Sequence, residues 1–219
     1  MSVISETLSQ VSLGEPQFCR NLSLFPILSR AIVAPAYRIL DDALSQGCAR
    51  VTEVSEAGNV PELLFANECE QSVLLLDGEE LVGAKQNRIL NLTVLAPANR
   101  QIVIPVSCVE HGRWRAESAE FTSGKRAHYA AGRARMSADI SFSLRSSGSP
   151  RSDQAGVWAD ISEKAARMEG ISDTGASAAI YETHQVRLKE YQEAFSAIEL
   201  QTGALFAINN EVVGLDLFD

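Results

Sequence analysis

The spacing of apolar residues changes about two-thirds of the way along this chain, and that change limits the folds open to it. In the first two-thirds the apolar residues form short, often β-branched runs that are typical of strands: residues 31–33, 62–65, 73–76, 89–95 and 102–106. In the last third they recur at helical spacing, first as Val157, Ile161, Ala165 and Met168, and then as Ile180, His184, Leu188, Tyr191, Phe195 and Ile198. Strands grouped before helices predict an α+β fold rather than repeated βαβ units.

We expect a single domain over residues 1–219, with a mixed, mostly antiparallel sheet packed against the two late helices. The sheet takes its strands from the first half of the chain and from a C-terminal hairpin turning at Asn209-Asn210. Asp77-Gly78 predicts a second hairpin, and residues 145–152, which read RSSGSPRS, predict a flexible loop before a helix capped by Asp153. The sequence ends soon after an apolar strand, so we expect it to be truncated at the C-terminus.

The charge of the chain argues against a nucleic-acid partner. Its 219 residues include 19 Lys and Arg against 28 Asp and Glu, a formal net charge of −9, whereas nucleic-acid-binding proteins are normally basic. No apolar run approaches the roughly 20 residues of a membrane span, and the N-terminus lacks the pattern of a secretory signal. The four cysteines show no metal-binding spacing and are expected to be thiols. These features predict a cytoplasmic protein without a membrane partner.

The densest polar cluster between strands is the segment DGEELVGAKQNR, residues 77–88. It holds two carboxylates, two cations and two amides within ten residues: Glu79, Glu80, Lys85, Gln86, Asn87 and Arg88. Side chains along a strand alternate between its two faces, so consecutive polar residues cannot all point to solvent. Some must face the core or a cleft. There they either pair with each other as a structural network or line a pocket.

A second cluster, CVEHGRW at residues 108–114, follows a strongly apolar strand. Glu110, a turn at Gly112, the bidentate anion binder Arg113 and the stacking face of Trp114 together suit a ligand, although a strand end with an exposed salt bridge has the same composition. The three histidines are scattered, so we predict no metal site. A Mg²⁺ ion held by carboxylates has no signature here and stays open. The sequence names no cofactor.

Positive charge is concentrated in one segment of this acidic chain. Residues 111–151 contain eight Lys and Arg against three Asp and Glu, a net of +5. A local basic segment favours a small anionic ligand such as a phosphate. The alternative is that these arginines pair with carboxylates elsewhere in the chain.

Three separated motifs resemble one family in the same order. They are GEELVGAKQNR at residues 78–88, IPVSCVEHGRW at residues 104–114 and DQAGVW at residues 153–158. The family is the ARG-and-rhodanese-phosphatase-superfamily-associated protein domain, where ARG means ADP-ribosylglycohydrolase; His111 stands where its pattern has glutamine. The family's own activity is unassigned, and the resemblance implies association with ADP-ribose-containing or NAD-derived metabolites. The matching positions are Glu79, Glu80, Lys85, Gln86, Asn87, Arg88, Glu110, Arg113, Trp114, Asp153, Gln154 and Trp158.

The residues and the resemblance together favour binding of a phosphorylated nucleoside-type or NAD/ADP-ribose-derived metabolite through GAKQNR and VEHGRW, with or without its chemical processing. The expected ligand-binding residues are Glu79, Lys85, Gln86, Asn87, Arg88, Arg113, Trp114, Gln154 and Trp158. If the protein is an enzyme, we expect a hydrolase acting on a nucleotide or ADP-ribose derivative, with Glu80 or Glu110 as general acid or base. The alternative is a non-enzymatic module for protein interaction or homo-oligomerisation, in which the polar block is a structural network.

Overall fold

The computed structural model describes residues 3–30, 35–55, 58–59 and 61–218. The helices are α1 (Val3–Gln10), α2 (Leu40–Ser45), α3 (Ala130–Ser147), α4 (Gln154–Arg167), α5 (Ala178–Thr183) and α6 (Gln185–Ala194). The strands are β1 (Val11–Leu13), β2 (Gln17–Cys19), β3 (Leu22–Ser29), β4 (Tyr37–Ile39), β5 (Ala49–Glu53), β6 (Glu62–Asn67), β7 (Ser72–Leu75), β8 (Glu79–Gly83), β9 (Arg88–Leu90), β10 (Val94–Ala96), β11 (Arg100–Cys108), β12 (Phe121–Ala127), β13 (Gln201–Ile208) and β14 (Glu211–Leu217). The α+β class is confirmed. The strand expected at residues 31–33 lies outside the described residues.

The chain divides into two compact units, and the first combines Met1–Pro35 with His184–Asp219. Its sheet has the order β1-β3-β13-β14, with β2 also pairing with β3, and all its pairs are antiparallel. The C-terminal hairpin is confirmed, because β13 pairs with β14 and both Asn209 and Asn210 adopt positive φ angles. This division into units does not decide how many domains the chain has, so the single domain expected from the sequence stays a prediction.

The second unit, Ala36–Thr183, is built around a closed barrel of six strands in the order β11-β6-β5-β12-β8-β9. Its barrel pairs are antiparallel, and a separate three-stranded sheet joins β10, β7 and β4. The main apolar core contains barrel residues such as Val51, Leu63, Leu81 and Leu90. The strands expected to form one sheet are therefore distributed over three, because an apolar run specifies a strand but not its partner.

A second apolar core lies where helices cover the outside of the barrel. Ile89 lies on β9, and Val109 directly follows β11. Both cluster with Ile161 of α4 and Ile180 of α5. Met136 and Ile140 of α3 complete the helical side of this core. Helix α3 was not predicted, since only Gly132, Met136 and Ile140 of its 18 residues are buried and its apolar stripe is correspondingly short. Its last turn takes in residues 145–147, so the loop begins at Gly148.

Two local predictions are wrong for a tertiary reason. The turn at Asp77-Gly78 exists, but β7 pairs with β4 and β10 while β8 pairs with β9 and β12, so the turn connects two sheets and closes no hairpin. The residues from Ile180 to Ile198, whose spacing predicts one late helix, are instead divided into α5 and α6 at the half-buried His184. Here the chain passes from the second unit to the first.

The cysteines also differ from expectation. Cys48 and Cys69 form a disulfide, whereas Cys19 and Cys108 are free. Cys48 precedes β5, Cys69 follows β6, and the antiparallel pairing of these strands brings the two Cα atoms within 4.9 Å of each other. Stable disulfides are characteristic of oxidising compartments, so the cytoplasmic location stays a prediction. Among the helices that the structure describes, none combines the length and apolar character needed to cross a bilayer.

Candidate ligand-binding site at one end of the barrel

Strand register places Arg88 inside the barrel, at the end that we call the barrel mouth. Arg88 pairs with Leu81 on β8 and with Cys108 on β11, and cross-strand partners share a face. Leu81 and Leu90 belong to the barrel core, and Leu90 lies two residues from Arg88 on the same strand. The Arg88 and Cys108 side chains therefore extend the inner face beyond the apolar core.

Glu53 reaches the same end of the barrel from β5. It pairs with Leu63, a fully buried core residue, and it lies two residues after Val51, another core residue. Leu63 in turn pairs with Ile104, four residues before Cys108 on β11. Alternation along β5 therefore turns the Glu53 carboxylate inward, towards Arg88.

Arg88 is fully buried but only partly hydrogen-bonded. Its side chain is 0% exposed, and its Nη1 donates to Oε1 of Gln86 at 2.7 Å. Its Nε and Nη2 atoms have no hydrogen-bond partner. Burial lowers the pKa of Arg88, while the nearby Cys108 and Glu53 raise it. A guanidinium stays charged near neutral pH, so Nε and Nη2 of Arg88, which together carry three N–H groups, are removed from water with nothing to bind among the described residues.

Gln86 and Cys108 orient the Arg88 side chain. Oε1 of Gln86 also accepts a hydrogen bond from the Cys108 thiol at 3.1 Å, and its Nε2 donates to the carbonyl oxygen of Glu110 at 2.9 Å. Burial raises the pKa of Cys108, although the Glu110 backbone, Arg88 and Trp158 act in the opposite direction. The thiol is therefore a buried hydrogen-bond donor rather than a thiolate.

Trp114 lies over two cations at the barrel mouth. Its ring centroid is 5.5 Å from Nζ of Lys85 and 5.7 Å from Cζ of Arg88, both within cation–π range. The Trp114 side chain is 49% exposed. The indole thus lies within reach of both cations, and about half of its surface is exposed.

Arg113 is also buried, and its guanidinium is fully hydrogen-bonded to other groups of this chain. Its Nε donates to Glu110, its Nη1 to the carbonyl oxygens of Ala84 and Arg115, and its Nη2 to Oδ1 of Asn87 and the carbonyl oxygen of Gly83. These bonds use all five N–H groups of a guanidinium. Arg113 therefore fixes the loop beneath the mouth and has no donor left for an anion.

Glu110 is the carboxylate partner of Arg113. Its Oε2 lies 2.6 Å from Nη2 of Arg113 and accepts from the backbone N–H of Asn87, and its Oε1 accepts from Thr174. Burial raises the pKa of Glu110, but these hydrogen bonds outweigh burial and leave that pKa below its ordinary value. Glu110 is therefore ionised at neutral pH and is poorly suited to donate a proton.

Two glycines allow the loops around this pair to approach closely. Gly83 has a φ of +128°, and a Cβ atom there would lie 2.6 Å from Oγ of Ser118. A Cβ atom on Gly112 would lie 3.0 Å from the backbone of Thr174, whose carbonyl oxygen accepts from the Gly112 N–H. These glycines place the Gly83 carbonyl against Arg113 and the Thr174 hydroxyl against Glu110.

The third motif docks α4 onto the end of β11. Asp153 caps the helix by accepting from the Ala155 N–H, as predicted. Gln154 accepts from the Cys108 N–H and donates to the Cys108 carbonyl oxygen, both at 2.8 Å. Trp158 meets His111 edge to face at 4.3 Å between centroids, and both line a separate cavity of about 300 Å³. Gln154 thus positions backbone, and Trp158 borders a cavity distinct from the barrel mouth.

Glu80 faces the opposite side of the sheet from Arg88. It pairs with Ile89, whose side chain belongs to the outer, helix-covered core. Its Oε2 pairs with Arg126, its Oε1 has no hydrogen-bond partner, and burial raises its pKa despite Arg126. Alternation along β8 thus separates Glu80 from the barrel mouth.

Several arginines of the basic segment, residues 111–151, are paired with carboxylates of the same chain. Arg113 pairs with Glu110, Arg126 with Glu80, Arg133 with Asp77 and Arg135 with Asp160. Arg88, whose Nε and Nη2 atoms lack a hydrogen-bond partner among the described residues, is therefore a better candidate for binding an anion than that segment.

Glu79 gives the protein a testable pH dependence. Burial raises its pKa from 4.5 to about 7, against a hydrogen bond from the Leu76 N–H. Between these values the folded protein holds a proton that the unfolded chain has released, so the free energy of unfolding falls as pH rises from about 4.5 to about 7. Glu79→Gln should remove up to about 3 kcal/mol of this decline. Urea unfolding at several pH values measures the free energy of unfolding, and Glu68→Gln is an exposed control. Parallel plots of this free energy against pH for wild type and Glu79→Gln would contradict the prediction.

The structure thus divides the predicted site residues into four groups. Lys85, Gln86, Arg88 and Trp114 meet at the barrel mouth; Asn87, Glu110, Arg113 and Gln154 support it; Trp158 borders the other cavity; and Glu79 and Glu80 lie elsewhere on β8. Sequence reasoning missed Glu53 and Cys108 as members of the mouth. A signal for Glu53 existed, because it follows Val51 by two residues in a strand-forming run.

Comparison with known proteins identifies a family for this chain. A family model described as ARG and Rhodanese-Phosphatase-superfamily-associated Protein domain, ARPP-1, matches residues 10–219. No curated protein and no solved structure matches the chain. The matched range includes all three motifs and nearly the whole chain.

Proposed function

We propose that this chain, which belongs to the ARG and Rhodanese-Phosphatase-superfamily-associated Protein domain family, binds a small anionic metabolite at the barrel mouth. Lys85 and Arg88 supply the positive charge, and Trp114 supplies a stacking surface. A phosphate together with a planar ring is the chemistry of a nucleotide. The ligand class is therefore a phosphorylated nucleoside, with ADP-ribose and other NAD-derived metabolites as its leading members.

The observation that carries the proposal is the incomplete hydrogen bonding of Arg88. Each buried N–H group without a partner costs about 1–3 kcal/mol, and more when the group is charged. Arg113, close by in the same fold, shows that this chain can satisfy a buried guanidinium completely. Unpartnered polar groups at the mouth of a barrel are expected where a ligand completes them.

Calorimetry and thermal unfolding with ADP-ribose, AMP, NAD and inorganic phosphate test the proposal. A ligand at 100 times its dissociation constant adds about 2.7 kcal/mol of stability, which raises Tm by about 5–10 °C for a chain of this size. We expect Arg88→Met and Lys85→Ala each to weaken binding at least tenfold. Arg115→Ala, which removes the 83% exposed arginine next to Trp114, should bind normally.

Two results would contradict this function. One is the absence of any stabilisation by these four probes in the folded wild-type protein. The other is a dissociation constant that is unchanged in a folded Arg88→Met variant, since the ligand would then bind elsewhere.

Hydrolysis has weaker support than binding. Glu110 is held ionised by Arg113, so the proton donor of a two-carboxylate mechanism would have to be Glu80, whose raised pKa suits that role. Glu80, however, faces the outer side of the sheet from Arg88. We therefore propose a binding domain and assign it no reaction.

The interaction-module alternative has one specific observation in its favour. Val212, Val213 and Leu215 are exposed on β14, an edge strand of the first unit. Exposed apolar side chains on an edge strand are typical of surfaces that pair with another chain. Homo-oligomerisation through β14 stays the second candidate, and the cytoplasmic location stays part of the proposal.

A further inference from the structure

Glu53 and Arg88 form an unusual pair at the barrel mouth. Both carboxylate oxygens of Glu53 are buried and have no hydrogen-bond partner, and the same holds for Nε and Nη2 of Arg88. The two side chains are near enough for Glu53 to raise the pKa of Arg88. Among the ion pairs of the residues that the structure describes, none joins them. The two side chains thus carry opposite charges at the same end of the barrel, and these four polar atoms make no hydrogen bond among the residues that the structure describes.

The unpartnered atoms of Arg88 and Glu53 have a definite chemical preference. A ligand group that satisfies both residues must accept hydrogen bonds from Arg88 and donate hydrogen bonds to Glu53. A hydroxyl group does both, whereas a phosphate oxygen only accepts and would be repelled by the carboxylate. A carboxylate that accepts from sugar hydroxyls is also the usual way in which proteins hold a ribose.

We infer that Glu53 is a specificity residue that reads hydroxyl groups of the ligand, so that the mouth selects a hydroxylated phosphate of the sugar-phosphate or ribosyl class. This inference rests on the proposed function. The phosphate lies on the side of Lys85 and Trp114, and one or more hydroxyls lie between Arg88 and Glu53. Lys85 reaches the same region as Glu53, because a Cβ atom on Gly58 would lie 3.4 Å from both Nζ of Lys85 and Oε2 of Glu53.

Three probes separate the phosphate from the hydroxyls. Ribose 5-phosphate carries both, propyl phosphate carries no hydroxyl, and inorganic phosphate carries no carbon at all. We expect wild-type protein to bind ribose 5-phosphate at least tenfold more tightly than propyl phosphate, since hydrogen bonds to charged groups discriminate strongly. Calorimetry measures each dissociation constant directly.

Glu53→Gln is the matched variant, because it keeps the shape of the side chain and removes its charge. We expect Glu53→Gln to lower the preference for ribose 5-phosphate over propyl phosphate, the ratio of their affinities, at least fivefold. The affinity for propyl phosphate should stay unchanged or rise, because the variant no longer repels phosphate. Glu53→Ala is the second variant, and Glu68→Gln, a half-exposed glutamate that follows β6, is the control.

The outcomes distinguish the two proposals. Equal affinity of wild type for ribose 5-phosphate and propyl phosphate, or a preference that survives in Glu53→Gln and Glu53→Ala, overturns the role of Glu53 and leaves the anion site standing. Failure of all three phosphates to bind, in a folded protein that also fails to bind ADP-ribose, overturns the proposed function and this inference with it.

Discussion

Replacing Arg113 by methionine is expected to lower the free energy of unfolding by about 3–5 kcal/mol. The substitution leaves the Glu110 carboxylate buried without its charged partner, and it also removes the donors that hold the carbonyl oxygens of Gly83 and Ala84. Removing one member of a buried ion pair costs more than the pair contributes, because the remaining charge has lost its compensation. For a unit of this size the loss corresponds to a fall in Tm of about 10 °C.

Arg115→Met is the matched control for this prediction. Arg115 is two residues away in the same loop, is 83% exposed and has Glu117 as a distant partner at 3.9 Å. Exposed ion pairs of this kind contribute little, so its Tm should change by less than about 2 °C. Equal Tm values for Arg113→Met and wild type would show that the buried network around Glu110 does not stabilise the fold.

The double substitution Arg88→Met with Glu53→Met should have the opposite effect on stability. It removes two buried charged groups whose hydrogen-bonding atoms are largely unpartnered, and it replaces them with apolar side chains next to an apolar core. Replacing a buried charged pair with apolar residues is often neutral or stabilising by about 1–4 kcal/mol. At the same time it should abolish binding of ADP-ribose or ribose 5-phosphate, a loss of at least 100-fold.

Chemical denaturation and calorimetry on the same preparation check both parts of this expectation. A folded double variant that is less stable than wild type by more than about 2 kcal/mol would show that Arg88 and Glu53 serve the fold. Unchanged ligand affinity would show that the mouth is not the binding site. Arg113→Met with Glu110→Met is the parallel double variant, and it should keep a measurable affinity because neither residue contacts the ligand.

Arg113 therefore has a structural role, whereas Arg88 is the arginine for which we propose a binding role. Arg113 has all its N–H groups satisfied by the protein, whereas Nε and Nη2 of Arg88 carry three N–H groups that the described residues leave unsatisfied. Natural proteins tolerate unfavourable groups mainly at functional sites, where a ligand supplies the missing interactions. Residue type alone does not distinguish the two, since both are arginines in motifs of the same family.

Local patterns identified several elements correctly. The predicted cap Asp153 begins α4, and the predicted turn Asn209-Asn210 connects the two strands of the final hairpin. In each case the signal is short in range, because a cap, a turn or a helical stripe depends on residues within about one turn of each other. The α+β class followed from the same signals.

Longer-range features were not accessible in the same way. Asp77-Gly78 makes a turn, but the strands on either side belong to different sheets. The Cys48–Cys69 disulfide depends on the pairing of β5 with β6 rather than on cysteine spacing. Helix α3 buries too few residues to produce a clear apolar stripe.

The candidate site was likewise predictable in its local features and not in its long-range ones. The sequence located the polar block at residues 77–88 and indicated, from strand alternation, that its members could not share one face. It did not determine which face each residue takes, so Glu80 and Arg88 were assigned to one site although they point to opposite sides of the sheet.

By itself, then, the sequence determined the class of the fold, the positions of its caps and turns and the segments in which chemistry is concentrated. These follow from propensity, periodicity and composition, which act over a few neighbouring residues. Only the tertiary structure decided that six strands close into a barrel, that the buried Glu53 carboxylate lies near Arg88 and that Arg113 is already fully bonded. Strand register and burial make those decisions, because they depend on which distant segments meet and on which polar atoms find a partner when they do.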